Sequence, residues 1–310
     1  MHTMSGKPLV ILTEYLDDEA VAWISERTDF HRCGCDDPAF SDLLKQAEGL
    51  IIRTYTTVDQ AFLDQAPMLK VVGRAGVGLD NVDQEACRKR GVEVVNTPDA
   101  NRQAVVEYVT SITTGLLRKK TPLTESIDSK AWGHLRDDNL VARQMNQMTL
   151  GILGLGKIGS RIAEVARAIG FTVIYNDLED IPQSNRHGAS PVELSTLLSE
   201  SDVLTVHVDG RHSNRNLLSE DQFQQMRPDV LLLNTSRGFV LDAQALAEFL
   251  RSHPQARAVL DVHEPEPIPA DYPLLGLSNA VLYPHLASRT RTAQINMSWV
   301  VRDVARVLGC

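Results

Sequence analysis

The sequence is poor in cysteine, and its cysteines form no recognisable metal or disulfide pattern. Only four cysteines occur in 310 residues. Cys33 and Cys35 are separated by a single glycine, which is not the spacing of a CxxC motif, and no second pair of ligands accompanies them. A metal or redox site is one interpretation of this pair, but the spacing favours two reduced thiols in a surface segment. We therefore expect no bound metal.

The sequence also lacks a block of positive charge and a long apolar run. The formal net charge is −9 at pH 7 and no Lys/Arg-rich block occurs, so nucleic acid is not an expected partner. The N-terminal apolar run from Pro8 to Leu12 is too short for the core of a signal peptide and for a membrane span. We therefore expect a cytoplasmic protein that does not bind a membrane.

Length and composition predict two α/β domains. The chain is 43% hydrophobic and 23% charged, which is normal for a globular protein with full cores, and 310 residues suit two domains. Short apolar runs alternate with amphipathic helical patterns over the first hundred residues and again in the second half of the chain. This alternation is typical of parallel sheets that are covered by helices on both faces.

The stretch from Thr149 to Asp177 predicts a dinucleotide-binding βαβ unit. An apolar run is followed by a GxGxxG turn, an amphipathic helix, a second apolar run and an acid; the turn consists of Gly154, Leu155, Gly156, Lys157, Ile158 and Gly159. In this motif the glycines permit a tight turn, the approach of a pyrophosphate to the backbone, and close packing of helix on strand. The N–H groups at the helix start complete the anion site. The alternative is a glycine turn in an α/β core that binds no ligand.

Asp177 predicts NAD rather than NADP as the cofactor. It follows the last glycine of the turn by 18 residues (177 − 159), close to the place where an acid receives the ribose hydroxyls of NAD. Its carboxylate would repel the 2′-phosphate of NADP. The next residues, Leu178, Glu179 and Asp180, supply no cation for that phosphate.

A second glycine-rich segment, Gly73 to Asp80, follows another apolar run. Its GxxGxG spacing differs from that of the dinucleotide motif. Loops at the carboxyl ends of parallel strands bind ligands, and the N–H groups of Val77 and Gly78 could hold a carboxylate as a small nest. A turn that needs a positive φ explains the glycines equally well, so both interpretations stay open.

Titratable residues follow three predicted strands in the second half of the chain. Arg237 follows the apolar run 230–234, acids follow the run 258–261, and His285 follows the run 280–283. The carboxyl ends of neighbouring parallel strands meet at one edge of the sheet, where open α/β sheets bind their ligands. We therefore expect these three loops to converge near the nicotinamide end of a cofactor bound at the glycine turn.

Five segments, taken in order, resemble the D-isomer-specific 2-hydroxyacid dehydrogenase family, and most of all its 3-phosphoglycerate dehydrogenase branch. They are GRAGVGLDNVD at 73–83, GILGLGKIG at 151–159, NTSRG at 234–238, LDVHEPEP at 260–267 and YPHLAS at 283–288. The resemblance covers nearly the whole chain. It implies an α/β fold with two doubly wound parallel-sheet domains, in which a Rossmann NAD-binding domain, residues 101–287, is inserted in a flavodoxin-like substrate domain, residues 1–100 and 288–310.

The resemblance has two further implications for the whole protein. It implies a homodimer formed through the cofactor domain, and residues 121–147, which show no clear periodicity, could be an arm or loop around the partner subunit. It also implies a short form of the enzyme without a regulatory domain after residue 310, so that serine feedback is not expected.

The resemblance places the family's catalytic arginine, glutamate and histidine on Arg237, Glu266 and His285. The chemistry agrees with these roles. A histidine titrates in the useful range and can supply or remove the proton of the substrate oxygen, and a neighbouring carboxylate favours its protonated form and orients the ring. An arginine offers a planar fork to the substrate carboxylate and polarises the keto oxygen. Glu264, which also precedes a proline, is the alternative to Glu266.

The remaining site residues are also assigned through the resemblance. Apart from the glycine turn and Asp177, the expected cofactor contacts are Thr235, Ser236, Asp261 and Ser288. The expected substrate contacts are Arg53, Thr54, Arg74, Val77 and Gly78. A structural cap is the alternative role of Asp261, and His263 is expected to be a surface or packing residue.

The chain departs from the family pattern at three places. Tyr55 stands in the substrate loop where a small or basic residue is more usual. The segment Asp209 to Asn214 replaces a Pro-Leu-Thr-Pro-like loop, and residues 141–148 lack the usual glycine. These departures concern the substrate rather than the fold.

The sequence therefore predicts an NAD-dependent oxidoreductase. It would transfer a hydride between nicotinamide and a D-2-hydroxy acid or its 2-keto acid, either 3-phosphoglycerate or a related small hydroxy acid, with His285 as the acid/base. Two other functions are compatible with the same scaffold. One is an NADH-sensing interaction protein of the corepressor type, and the other is a dehydrogenase of the formate or phosphite type.

Overall fold

The computed structural model describes residues 6–310 and divides the chain into two compact units. One unit consists of the residues up to Arg102 together with Ser288–Cys310, and the other of Gln103–Ala287. In the described part of the chain, no helix is both long enough and apolar enough to cross a membrane.

Strands and helices alternate along most of residues 6–310. The strands are β1 (Leu9–Leu12), β2 (Asp29–Arg32), β3 (Gly49–Ile52), β4 (Val71–Arg74), β5 (Glu93–Asn96), β6 (Thr149–Leu153), β7 (Thr172–Asn176), β8 (Ser190–Pro191), β9 (Val203–Val206), β10 (Leu231–Asn234), β11 (Arg257–Leu260) and β12 (Ala280–Leu282). The helices are α1 (Asp18–Ser25), α2 (Phe40–Leu44), α3 (Gln60–Asp64), α4 (Gln84–Arg90), α5 (Arg102–Leu117), α6 (Ser129–Asp138), α7 (Lys157–Ile169), α8 (Leu194–Glu200), α9 (Glu220–Gln224), α10 (Ala243–Ser252), α11 (Arg291–Ser298) and α12 (Val301–Leu308).

The first unit contains a five-stranded parallel sheet in the order β2-β1-β3-β4-β5, which is the flavodoxin-like order. Helix α12 covers one face of this sheet, and Val304 lies in the same buried cluster as Val10 and Ile51. Gly73 in β4 permits this contact, because a Cβ atom there would lie 2.4 Å from Cγ2 of Val304. The C-terminal residues therefore belong to the core of the first unit.

The second unit contains a seven-stranded parallel sheet in the order β12-β11-β10-β9-β6-β7-β8. Counted from β6, this is the order 3-2-1-4-5-6 of a Rossmann sheet, extended by a seventh strand, and it reverses direction between β6 and β9. Apolar clusters cover both faces, and β9 and β10 are buried along their whole length. The predicted fold class of two doubly wound parallel sheets is therefore confirmed.

The sequence patterns missed three elements, β2, α6 and β8. Helix α6 lies in the segment 121–147, and none of its residues is buried, so no apolar stripe marks it. Its start is fixed by Asp128, whose Oδ1 accepts a hydrogen bond of 2.8 Å from the N–H of Ala131. Strands β2 and β8 lie at sheet edges, where no continuous apolar run is needed. The helical pattern of residues 290–308 predicts one helix, whereas the structure has two there, α11 and α12.

Candidate active site

The glycine turn follows β6 and opens onto the point where the strand order of the second sheet reverses. Gly154 has a φ of +93°, and a Cβ atom there would lie 2.9 Å from the backbone of His207. A Cβ atom at Gly159 would lie 2.2 Å from the carbonyl oxygen of Gly154, so only glycine lets α7 approach the turn this closely. A Cβ atom at Gly156 would meet no atom within 4 Å. The space over Gly156, at the N-terminus of α7, is thus open to a phosphate.

Asp177 lies directly after β7 and is bonded to the glycine turn. Its Oδ2 accepts a hydrogen bond of 2.6 Å from the N–H of Leu155, and its Oδ1 accepts one of 3.0 Å from the N–H of Glu179. An open hollow at this end of the sheet is lined by Asp177, Leu178, Glu179 and Pro191, among others. The structure therefore brings the predicted ribose-binding acid and the predicted pyrophosphate turn together.

One cation near Asp177 was not found from the sequence. Arg211, in the segment after β9, is bound by both carboxylate oxygens of Asp209, at 2.7 and 2.6 Å. This pairing raises the pKa of Arg211, and the more distant charges of Glu179 and Asp177 add to the shift. The guanidinium lies in the atypical segment 209–214, so no residue next to Asp177 in the sequence signals it.

Glu266 and His285 form a hydrogen-bonded pair in the loops after β11 and β12. Glu266 Oε2 lies 2.9 Å from His285 Nδ1, and its Oε1 accepts a hydrogen bond of 2.9 Å from the N–H of His263. Burial alone would raise the pKa of Glu266, but these hydrogen bonds outweigh it and the pKa is lowered. The carboxylate is therefore ionised at neutral pH and accepts a hydrogen bond from Nδ1–H of His285, which leaves Nε2 as the ring atom that can exchange a proton.

His285 has an unusual backbone conformation. Its φ is +56°, in the left-handed region that residues with a side chain rarely adopt. Such a conformation costs about 1 kcal/mol or more and persists only where the surroundings determine it. The N–H of His285 donates to the carbonyl oxygens of Asp261, at 2.9 Å, and Tyr283, at 3.0 Å, so the turn is closed by two backbone bonds.

The buried side chain of Asp261 stabilises the turn that contains His285. Asp261 is 1% exposed. Its Oδ1 accepts hydrogen bonds from the N–H of Leu286 at 2.7 Å and from the Tyr108 hydroxyl at 2.9 Å. Its Oδ2 accepts one from the N–H of Ala287 at 2.8 Å. Burial and this bond to a carboxylate raise the pKa of Tyr108 far above its usual range. Both carboxylate oxygens have partners within the protein, which agrees with a structural role of Asp261. Its predicted contact with the cofactor stays a prediction.

Arg237 lies in a tight turn after β10. The buried side chain of Asn234 accepts a hydrogen bond from the N–H of Ser236 at 3.0 Å and donates one to the carbonyl oxygen of Arg237 at 2.9 Å. A Cβ atom at Gly238 would lie 2.0 Å from the backbone of His263, so the Arg237 loop and the acid-bearing loop are in direct contact. The three loops after β10, β11 and β12 thus converge, as the sequence predicted.

The structure also separates the two candidate glutamates. Glu264 is bound by Arg215 through two parallel hydrogen bonds of 2.7 Å, and the Arg215 guanidinium lies over the ring of Phe239. Glu266 alone of the two is bonded to His285. Glu264 is therefore a partner of the segment that follows β9.

Thr235 and Ser236, the other predicted cofactor contacts in this loop, are largely enclosed. The hydroxyl oxygen of Thr235 is buried and has no hydrogen-bond partner among the described residues. A buried hydroxyl normally finds a partner, so this oxygen is available to a ligand. Together with the open space over Gly156, it shows that the residues of the second unit fit a dinucleotide.

The predicted substrate residues and Ser288 belong to the first unit. Four successive backbone N–H groups, those of residues 53–56, donate to the carboxylate of Glu14 at 2.9 to 3.1 Å. Asn81 closes the same loop from its carbonyl side, with bonds to Arg53 and Thr56. The loop that carries Arg53 and Thr54 therefore has one defined conformation.

The second glycine-rich segment is also ordered by side chains of its own unit. The carbonyl oxygen of Val77 accepts a hydrogen bond of 2.7 Å from Asn96. The guanidinium of Arg74 lies against Gly76, where a Cβ atom would be 1.5 Å from Nη1. This close contact explains one glycine of the segment and leaves the predicted roles of Val77 and Gly78 as predictions.

Comparison with known proteins gives matches over nearly the whole chain. Residues 110–287 match the family model described as D-isomer specific 2-hydroxyacid dehydrogenase, NAD binding domain. A D-3-phosphoglycerate dehydrogenase of Archaeoglobus fulgidus is 34% identical over 257 residues, which cover 83% of this chain and 48% of that protein. An (S)-sulfolactate dehydrogenase of Chromohalobacter salexigens is 34% identical over 310 residues, which cover 97% of this chain and 98% of that protein.

Solved structures agree with these matches. The crystal structure of a D-lactate dehydrogenase from Aquifex aeolicus, complexed with NAD and lactic acid, has a TM-score of 0.81 at 25% identity, over 97% of this chain and 96% of that chain. The chain spans about half the length of the 3-phosphoglycerate dehydrogenase that it matches, and nearly the whole length of the sulfolactate dehydrogenase.

Proposed function

Because the chain belongs to the D-isomer-specific 2-hydroxyacid dehydrogenase family, we propose that it is an NAD-dependent enzyme that interconverts a D-2-hydroxy acid and its 2-keto acid. The observation that carries the proposal is the hydrogen-bonded pair of Glu266 and His285, in which the loop of Glu266 adjoins the Arg237 turn. The pair and the arginine follow neighbouring strands of the sheet that also carries the glycine turn. An acid/base, a carboxylate-binding cation and a nucleotide site are the three parts that this reaction requires.

The cofactor would be bound by the glycine turn and by side chains at the same edge of the sheet. The N–H groups at the start of α7 suit the pyrophosphate and Asp177 suits the ribose, which favours NAD over NADP. The remaining predicted contacts are Lys157, Ile158, Thr235, Ser236, Asp261 and Ser288. Bound nicotinamide supplies the hydride chemistry.

The residues of the chain supply the proton and the orientation of the substrate. In the direction of reduction, Nε2 of protonated His285 donates its proton to the keto oxygen, and the ionised Glu266 stabilises the imidazolium through Nδ1–H. Arg237 binds the substrate carboxylate through its guanidinium fork. In the reverse direction His285 removes the proton of the hydroxyl group.

For the substrate we propose 3-phosphoglycerate or another small hydroxy acid that carries a second anionic group. The supporting residues are Arg53, Thr54, Arg74, Val77 and Gly78, on loops of the first unit. Burial lowers the pKa of Arg53, Glu14 opposes the shift, and the positive charge of Arg289 lowers the pKa further. Two neighbouring arginines favour an anion between them, and the names of the phosphoglycerate and sulfolactate relatives denote acids of this kind.

A substrate panel tests the proposal. NADH and NADPH oxidation by the purified protein is measured with phosphohydroxypyruvate, hydroxypyruvate and glyoxylate, and NAD⁺ reduction with formate and phosphite. We expect reduction of at least one keto acid with NADH, and a preference for the phosphorylated acid. If no keto acid is reduced with NADH, the proposal is wrong. Turnover of formate or phosphite would then indicate the alternative enzyme class.

A histidine variant tests the acid/base role. His285→Ala should lower kcat by about 10²–10⁴ and leave NADH affinity nearly unchanged, because the ring does not belong to the nucleotide turn. His31→Ala is the matched control, since His31 is also paired with a carboxylate, that of Asp29 at 3.1 Å, in the first unit. Undiminished turnover of His285→Ala would refute the role.

We also propose that the protein is a cytoplasmic homodimer that associates through residues 103–287. Trp132 and Leu140 support this, because they are 51% and 82% exposed and lie on or next to a helix with no buried residue. Exposed large apolar side chains on such a helix favour burial against another chain.

A further inference from the structure

His263 is a buried histidine that the proposed reaction does not use. It is 9% exposed, and its ring packs edge-on against Tyr272 with the ring centroids 5.6 Å apart. Its Nε2 lies 2.8 Å from the carbonyl oxygen of Tyr283. A carbonyl can only accept, so Nε2 carries the proton, and Nδ1 is buried without a hydrogen-bond partner among the described residues. The ring therefore has a defined tautomer and one directed hydrogen bond.

His263 contacts both halves of the acid/base pair. Its backbone N–H donates to Oε1 of Glu266, the carboxylate whose other oxygen binds His285. Its side chain donates to the Tyr283 carbonyl, and the same carbonyl accepts the N–H of His285 at 3.0 Å. One residue thus fixes the acid and the backbone turn that holds the base.

The surroundings prevent His263 from moving away from this position. The backbone of Gly238 lies against its carbonyl group so closely that no side chain fits there. The titratable residues around His263 include Glu266 and its chain neighbour Glu264 on its own loop, Tyr272 against its ring, Tyr283, whose carbonyl it binds, and His285, whose N–H shares that carbonyl. The ring is held by its packing against Tyr272 and by its hydrogen bond to the Tyr283 carbonyl, so it transmits its position to the groups that it binds.

We propose that His263 is a positioning residue of the active site, which sets the relative placement of Glu266 and His285 through its hydrogen bond to Tyr283. It acts through these residues and does not touch the substrate. The left-handed conformation of His285 is retained because the Tyr283 carbonyl is fixed from two sides. This inference rests on the proposed acid/base role of the pair.

Three substitutions separate the hydrogen bond from the packing of the ring. A glutamine amide nitrogen can occupy the place of Nε2, an asparagine reaches only the place of Nδ1, and a phenylalanine keeps the ring without any donor. We expect His263→Phe and His263→Asn to lower kcat by about ten- to a hundredfold, since small misplacements of catalytic groups have effects of this size. His263→Gln should recover most of the activity, and NADH affinity should change less than twofold in all three.

The pH profile distinguishes positioning from simple structural damage. In His263→Phe and His263→Asn the pH at which keto-acid reduction falls to half should shift to lower values, because a looser Glu266 stabilises the imidazolium less. His263→Gln should keep the wild-type profile. Equal activity and equal profiles in all variants would overturn the inference, as would a loss that follows thermal stability alone and is the same for glutamine and asparagine.

A second measurement does not depend on turnover. The Cε1–H resonance of His285, assigned with the His285→Ala variant, is followed by NMR from pH 5 to 9 in the wild type and in the three variants. If the titration midpoint of His285 shifts in His263→Asn and not in His263→Gln, the positioning role is supported. This holds even if no keto acid proves to be a substrate, and in that case only the proposed function fails. An unchanged titration in an active enzyme overturns the inference and leaves the proposed function intact.

Discussion

At the scale of single residues, Glu14 shows how one carboxylate can determine the backbone of a loop. It accepts hydrogen bonds from four successive N–H groups, residues 53–56. Burial would raise the pKa of Glu14, but the four donors outweigh it and the pKa is lowered. The ionised form is therefore the one that folding stabilises.

We expect Glu14→Gln to destabilise the first unit at neutral pH. A lowered folded-state pKa contributes stability that is complete above the ordinary pKa of about 4.3 and is lost as the pH falls through the folded-state value. At pH 7 the variant should lose about 1.5–3 kcal/mol, the usual effect of hydrogen bonds to a charged group. Urea unfolding at pH 7 and at pH 3 measures this. Glu125→Gln, at an exposed position, serves as the control, and a difference that persists unchanged at pH 3 would contradict the argument.

Residues of the site differ in how far the sequence could reveal them. Arg237, Glu266 and His285 follow three strands and occur in recognisable motifs. Glu14 and His263 act on backbone groups, which have no identity of their own in a sequence, and the partners of Glu14 are 39 to 42 residues away. A hydrogen bond from a side chain to a distant main chain leaves no periodic pattern, so only the structure could locate it.

At the scale of elements, the residue that follows the atypical segment 209–214 contacts the acid-bearing loop. Arg215 binds Glu264 through two hydrogen bonds of 2.7 Å, and Asn214, buried, donates to Asp209 at the start of the segment. Pro265 lies between the two glutamates and Pro267 follows the second one, and the ring of each proline fixes its own φ. Restraint of Glu264 therefore limits the positions that Glu266 can take.

We expect Arg215→Ala to lower kcat about two- to fivefold, a modest effect because the pair is exposed to solvent. A charge exchange, Arg215→Glu with Glu264→Arg, should restore part of the loss. Arg88→Ala, which removes the comparable Glu85–Arg88 pair of α4, is the control and should leave steady-state kinetics unchanged. If kcat of the charge-exchange variant is no higher than that of the single variants, the Arg215–Glu264 pair does not influence the active site in this way.

Glycine packing between α12 and β4 gives a prediction about stability. Gly73→Ala would place its Cβ 2.4 Å from the γ-methyl of Val304, a stiff side chain, and should destabilise the first unit by about 1–3 kcal/mol. The added change Val304→Ala should relieve the clash. In α5, Gly115→Ala meets no atom within 4 Å and should stabilise by about 0.5–1 kcal/mol.

The tryptophans make this measurement specific to one unit. Trp23 and Trp299 both lie in the first unit with their rings 6.3 Å apart, whereas Trp132 lies in the second. Fluorescence in a Trp132→Phe background therefore follows unfolding of the first unit. An unchanged midpoint for Gly73→Ala would mean that α12 can move away from β4 without cost.

At the scale of the whole molecule, the two parallel sheets were predictable and the surface of the second unit was not. Alternating apolar runs and helices predict parallel sheets, because central strands such as β3, β9 and β10 are buried on both faces. Helix α6 has no buried residue in this chain, so the sequence pattern had no apolar stripe to detect. In the proposed homodimer, the apolar residues on and next to α6 would be buried against the second chain rather than against the core of their own chain.

The proposed homodimer predicts that Trp132→Glu with Leu140→Glu weakens association. Both side chains are exposed, and a charge at a buried interface carries a large desolvation cost. Sedimentation velocity over a range of concentrations should show dimers for the wild type and monomers for the double variant. Met68→Glu, at an exposed apolar position of the first unit, should remain dimeric. A monomeric wild type at all concentrations would exclude the dimer.

The divided layout of the first unit bears on how the protein is made. Its five strands leave the ribosome early, but α12, which covers one face of their sheet, is translated only after the 185 residues 103–287 (287 − 103 + 1). At roughly 5–20 residues per second this delay is about 10–40 s. During that time the apolar face around Val10, Ile51 and Val71 is covered by α1 but not by α12, so newborn chains should depend on chaperones at this stage.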